Sequence, residues 1–150
     1  MTGLPDIRDL VPHAGRMVLL DRVLEVDEYS LTAEVTICFD SVFCDGQKVG
    51  AWVGIEYMAQ AIAAFAGARA RKHGEPVKLG FLLGTRRYTT SQPHFMVGDT
   101  LRITVREELQ GENGLASFDC AIKSDSIDVK AALTVFQPAD PEAYLEGQEA

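Results

Sequence analysis

The chain has 150 residues, 47% of them hydrophobic, and a formal net charge of −8 at pH 7. Its length suits a single domain with a core of its own, residues 1–150. The negative balance disfavours nucleic acid as a general partner, because neutralising phosphates supplies most of that affinity. Three cysteines, Cys38, Cys44 and Cys120, lack any C-x-x-C spacing, which argues against a disulfide framework and a zinc site, so no metal is expected.

The first ten residues, MTGLPDIRDL, carry charge where a signal peptide would need an apolar core, so a cytoplasmic protein is expected. Met17 to Val26 is rich in Val and Leu. Leu31, Ala33, Val35 and Ile37 then alternate with Thr32, Glu34, Thr36 and Cys38, the period-2 pattern of a half-buried strand. The break at 27–30, Asp-Glu-Tyr-Ser, is short enough for a hairpin.

Trp52 to Arg71, WVGIEYMAQAIAAFAGARAR, predicts a helix with almost no polar face until its last turn. Such a helix belongs in the middle of a fold. Charges on either side, Asp45 and Lys48 before and Arg69, Arg71 and Lys72 at its end, keep it short of a membrane span. Its many Ala and Gly residues let another backbone approach closely. Its one acidic group, Glu56, lies one turn below Gln60 on the same side. A carboxylate among apolar residues must be paired, protonated or at work.

His73-Gly74-Glu75-Pro76 supplies the stop signals of a helix end. Val77 to Thr90 is a long strand whose Gly80 and Gly84 suggest a bulge or a close approach to the helix. Further strands are expected around Leu101 to Arg106, Leu115 to Lys123 and Ile127 to Phe136. The folded core should span about 10–136, with 137–150 an acidic tail. Two strands, one long apolar helix and four strands make an α+β arrangement in which a curved antiparallel sheet of about six strands wraps the central helix.

Three phrases in this frame resemble a known family. Val11-Pro12-His13 followed by Met17-Val18-Leu19-Leu20-Asp21-Arg22-Val23 is similar to L-P-H-R-Y-P-F-L-L-V-D-R-V; Glu56-Tyr57-Met58-Ala59-Gln60 is similar to V-E-A-M-A-Q; Gly98-Asp99-Thr100-Leu101 is similar to P-G-D-x-L. In that order they resemble the 3-hydroxyacyl-(acyl carrier protein) dehydratases of type II fatty acid synthesis, which have the hotdog fold. The departures point to a divergent, dehydratase-like branch of bacterial lipid and polyene biosynthesis. The family's loop histidine, in G-H-F-P-G, has no counterpart in Val42-Phe43-Cys44-Asp45-Gly46, where Val42 or Phe43 takes its place. The family's Pro-Gly before the helix is Gly50-Ala51 here.

The resemblance implies dehydration of 3-hydroxyacyl thioesters, carried on the phosphopantetheine of an acyl carrier protein or on coenzyme A, with no other cofactor. Glu56 is the implied acid. Its base must come from elsewhere, with His13 as first choice, His94 second and His73 poorest, since His73 sits where a cap explains it. Backbone N–H groups of Ala51, Trp52 and Val53 are placed to polarise the thioester carbonyl, and Gln60, Phe43 and His94 to contact substrate. Phe43, Trp52 and Phe65 suit the core or the acyl tunnel that hotdog proteins lay along this helix. Cys44 is a small buried hydrophobe or a nucleophile. Lys78, Arg86 and Arg87 form a solvated strand face or dock an acidic carrier protein. A homodimer is expected, with pairing to another dehydratase as the variant; a hotdog thioesterase and a non-catalytic acyl-binding partner subunit are the alternative functions.

Overall fold

The alternating segments of the sequence form strands that share one antiparallel sheet. The computed structural model describes residues 4–11, 15–75, 80–111 and 113–137. A short helix α1 (Ile7–Leu10) is followed by a 3-10 turn (Gly15–Met17) and the hairpin β1 (Arg22–Val26) and β2 (Ser30–Thr36). Next come β3 (Lys48–Gly50), a 3-10 turn (Ala51–Val53) and the long helix α2 (Gly54–Lys72). The chain continues through β4 (Phe81–Thr90), β5 (His94–Met96), β6 (Thr100–Gln110), β7 (Leu115–Lys123) and β8 (Asp128–Phe136). Six strands form the main sheet in the order β1-β2-β6-β7-β8-β4, and β3 pairs with β5 in a separate ribbon. This is the sheet-around-a-helix arrangement that the hotdog resemblance implies.

Burial follows the pleat. Leu31, Ala33 and Val35 of β2 and Leu101, Ile103 and Val105 of β6 are buried on the face toward α2, where Met58, Ala61, Ala64 and Phe65 meet them. The helix lies mainly over β2, β6 and β7. Its small residues are used as expected at one point, since a Cβ on Gly67 would stand 2.0 Å from the Leu10 carbonyl oxygen. The helix stops in a Schellman motif. Gly74 takes a φ of +69°, the Glu75 N–H reaches back to the Ala70 carbonyl at 2.8 Å, and the Gly74 N–H to that of Arg71 at 3.1 Å.

The structure departs from the expected elements in three places. Residues 17–21 are not a strand, because the side chain of Gln60 takes the backbone groups of Met17 and Leu19 that a ladder would need. β3, β5 and α1 carry no pattern long enough to announce them. Gly84 sits at a bulge, where the β4–β8 register shifts between Leu82 and Gly84, but neither it nor Gly80 lies against the helix. A second shift follows between Arg86 and Thr89, with Arg87 in the left-handed region at φ 55°.

Candidate active site

The first turns of α2 hold the site together through Gln60. This amide is 0% exposed. Its Oε1 accepts the Leu19 N–H at 2.8 Å, its Nε2 donates to the Met17 carbonyl at 2.6 Å, and the same Nε2 stands 3.5 Å from Glu56 Oε1. Gln60 therefore binds its own chain rather than substrate. The segment before β1 is clamped to α2 at Met17, as it is at Leu10 through Gly67. His13 lies between those anchors but outside the described residues, as does Lys78.

Glu56, half-buried in the first turn of α2, opens onto a groove of about 580 Å³. Ala59, Ala63 and Ala66 of the helix and Ala116, Phe118 and Val135 of the sheet line it. The groove exists because α2 is centred over β2, β6 and β7, leaving the β8–β4 side of the sheet uncovered beside it. Leu82 and Gly80 border it at the β4 edge.

The approach to α2 is built from the ribbon. Gly50 stands in register with His94, so His94 lies beside the residue that precedes the helical turns. A Cβ on Gly50 would stand 2.3 Å from Trp52 Nε1; the indole folds over the bare glycine. The Ala51 N–H donates to the Pro93 carbonyl at 2.9 Å and is engaged, while the Ala51 carbonyl accepts from the Tyr88 hydroxyl. Trp52 and Val53 follow in the same turn, Val53 buried and Trp52 66% exposed.

Trp52 and Phe43 do not fill the core. Phe43 is 49% exposed, has a φ of 72°, and meets Trp52 edge-on at 5.8 Å between ring centroids. Both lie on the loop and turn leading into α2, beyond the strands that cover the core, and Phe65 alone of the three is buried. His73 caps the far end of α2, its N–H directed at the Arg69 and Ala70 carbonyls. Cys44 is half-buried and bridges to Val49, Cys38 is exposed and Cys120 buried; all three are free thiols. Arg86 and Arg87 are exposed on β4.

Two tyrosines belong to this region that the sequence did not single out. Burial pushes both the Tyr57 and the Tyr88 phenol from 10.0 up to about 12, so both are neutral donors at physiological pH. Tyr57 packs on Phe95 at 5.9 Å, and the nearby Asp21 carboxylate adds to the upward push of burial. Its signal was present, because it stands where the family phrase has Ala. Tyr88 gave none, since its inward aim follows from the β4 bulge. No helix among the described residues is long and apolar enough to cross a membrane, and no cluster of three His, Cys, Asp or Glu side chains among them is arranged to hold a metal.

Comparison with known proteins places this geometry. The sequence model of the ApeP-like family, described as ApeP dehydratase, matches residues 5–146. Among solved structures, the dehydratase heterocomplex ApeI:P from Xenorhabdus doucetiae contains a chain with 31% identity and a TM-score of 0.84, the match covering 94% of this chain and 96% of that one. Zebra fish thioesterase superfamily member 2 shares the fold at 12% identity and a TM-score of 0.65, over 89% of this chain and 93% of its own. A hypothetical thioesterase from Streptococcus pneumoniae TIGR4 with coenzyme A does so at 13% and 0.59, over 77% and 84%. No curated protein matches the chain at a significant level.

Proposed function

The chain belongs to the ApeP-like dehydratase family, and we propose on that premise that it dehydrates 3-hydroxyacyl thioesters to trans-2-enoyl thioesters in polyene-type or fatty acid biosynthesis, paired with a second dehydratase subunit. The observation that carries this reading is the apolar groove that begins at Glu56 and runs beside α2. It offers an acyl chain a bed with one carboxyl group at its entrance. The substrate is carried on the phosphopantetheine of acyl carrier protein, with coenzyme A as its simpler analogue.

In the proposed reaction a base takes the Cα proton, electrons flow through the enolate to form the C2–C3 double bond, and the C3 hydroxyl leaves with a proton as water. Glu56 delivers that proton. His13 is the base, and His94 beside Gly50 is the second candidate. The Trp52 and Val53 N–H groups polarise the thioester carbonyl; the Ala51 N–H is given to the Pro93 carbonyl instead. Exposed Phe43 and Trp52 flank the pantetheine entrance.

Pairing has a structural argument of its own. β4 is an edge of the sheet, and Leu82 and Leu83 on it are exposed. An edge strand with apolar side chains invites another strand. Because Leu82 also borders the groove, a partner there would close its open side. The partner proposed here is a second dehydratase subunit, the variant to the homodimer in the sequence reading.

The test is conversion of a 3-hydroxyacyl-carrier protein by the purified heteromer, followed by mass spectrometry for loss of water. Glu56→Gln should abolish conversion with the protein folded, and His13→Asn should lower it by about 10²-fold while removing a rise in rate with pH near the reference imidazole value of about 6.5. An unchanged rate in His13→Asn and His94→Ala would assign the base to the partner. Release of free thiol without enoyl product would identify a thioesterase.

A further inference from the structure

The groove beside α2 changes character along its length. Glu56 to Arg69 is thirteen residues of helix, about 20 Å at a rise of about 1.5 Å per residue. There Arg69 forms a bidentate pair with Glu107, Nη1 to Oε2 at 3.1 Å and Nη2 to Oε1 at 3.0 Å. Two further contacts hold the guanidinium. Nη2 also donates to the Glu28 carbonyl at 3.1 Å, the group lies 4.5 Å over the Phe65 ring, and Phe65 itself rests edge-on against Phe118 at 5.7 Å. Glu107 is the more enclosed partner, its side chain 10% exposed against 31% for Arg69.

Beyond this pair lies another cavity, of about 1020 Å³, between the last turns of α2, the Leu4–Pro5 segment and the β1–β2 turn. Phe65, Arg69, His73, Glu107 and Gln110 line both spaces. Arg69 and Glu107 are therefore a wall between the groove that starts at Glu56 and a second space behind it. The stretch of groove from Glu56 to the pair is lined mainly with Ala, Ile, Phe and Val, and past the pair the lining turns polar, with His73, Glu75 and Gln110. An apolar chain end advancing along the groove meets an ion pair whose disruption would leave a carboxylate unpaired in a poorly hydrated place.

Resting on the dehydratase function above, we propose that the Arg69–Glu107 pair is the chain-length stop of this site, setting the longest acyl group accepted, and that removing it joins the groove to the cavity behind. Arg69 and Glu107 are specificity-determining residues. They do not touch the reacting atoms.

The experiment measures binding, so it does not depend on turnover. Calorimetry is run on the full heteromer with a length series of non-hydrolysable 3-hydroxyacyl pantetheine amides. For the wild type, affinity should climb about fourfold per methylene, the equivalent of ~0.8 kcal/mol per buried CH₂, and then stop rising at one length. In Arg69→Ala the climb should continue for several more methylenes, while Arg69→Lys should keep the wild-type limit. Because Arg69→Ala strands the Glu107 carboxylate, Arg69→Ala/Glu107→Gln is measured beside it and should show the same extension. A limit unmoved in the folded variants, or a wild type without a limit, overturns the proposal and leaves the dehydratase function standing. A limit that moves in a protein that never forms enoyl product supports the stop and overturns the activity. Failure of the wild type to bind any member of the series overturns both.

Discussion

Several of the residues that make the chain resemble dehydratases turn out to hold backbone. Asp21 accepts the Thr36 N–H at 2.8 Å and closes the β1–β2 ladder. Gly98, at φ 96°, allows the turn in which its N–H meets the Ile37 carbonyl at 2.8 Å and the Asp99 side chain accepts the Met96 N–H at 2.9 Å. Gln60 clamps Met17 and Leu19, which leaves Glu56 as the member of its phrase open to chemistry. Gln60, expected to contact substrate, has its amide committed to backbone on both ends. Replacing it by Ala would leave the partly buried Leu19 N–H and Met17 carbonyl without this partner. Gln60→Ala should destabilise the protein by about 2 kcal/mol, read as a lower denaturant midpoint at unchanged m-value. The drop should be much smaller for Glu56→Gln.

Among the elements, α2 was the most legible and its neighbours the least. A run of apolar and small residues bounded by charges reads as a buried helix whatever surrounds it, and its stop signals at His73 and Gly74 act locally. The ribbon of β3 and β5 has three residues in each strand, too few for a period to show, and exists because it delivers the chain to the start of α2. Two glycines make a test of close approach. Gly67→Ala forces a methyl against the Leu10 carbonyl and should cost about 1–3 kcal/mol, whereas Gly84→Ala meets nothing within 4 Å and should stay within about 0.5 kcal/mol. Thermal melts of the two proteins side by side would show it.

The whole molecule should respond to alkaline pH in a particular direction. Burial raises the Tyr57 and Tyr88 phenols from 10.0, and the Cys120 thiol from 9.0, to about 12. An unfolded chain therefore loses these protons first. The stability they contribute is fully present below about pH 9 and is lost as pH rises toward about 12. Denaturant midpoints measured from about pH 8 to about pH 11 should fall, and Tyr88→Phe should flatten the fall. On the acid side the sign reverses. Hydrogen bonds from the Tyr29 and Gln47 backbone N–H groups hold Asp27 and Asp45 below 3.8, so their contribution is present above 3.8 and lost as pH drops through the lower folded values.

Alternation marked β2, apolar content between turn signals marked the other long strands and the helix, and the phrase around Glu56 marked the carboxyl group that opens onto the groove. The charges flanking α2 and the Gly74 stop set its bounds for the same local reason. What tertiary structure decided is which partner each polar group finds. Nothing near Arg69 in the chain announces Glu107, nor does anything near Tyr88 announce the Ala51 carbonyl; those pairs are made by strands that return to the helix from far along the sequence. Phe43 and Trp52 read as core because aromatic residues usually are, and only the path of the loop into α2 leaves them exposed. Side-chain chemistry is local and so legible. The groove beside α2 and the ion pair that borders it depend on how the helix is offset across the sheet, which no single segment encodes.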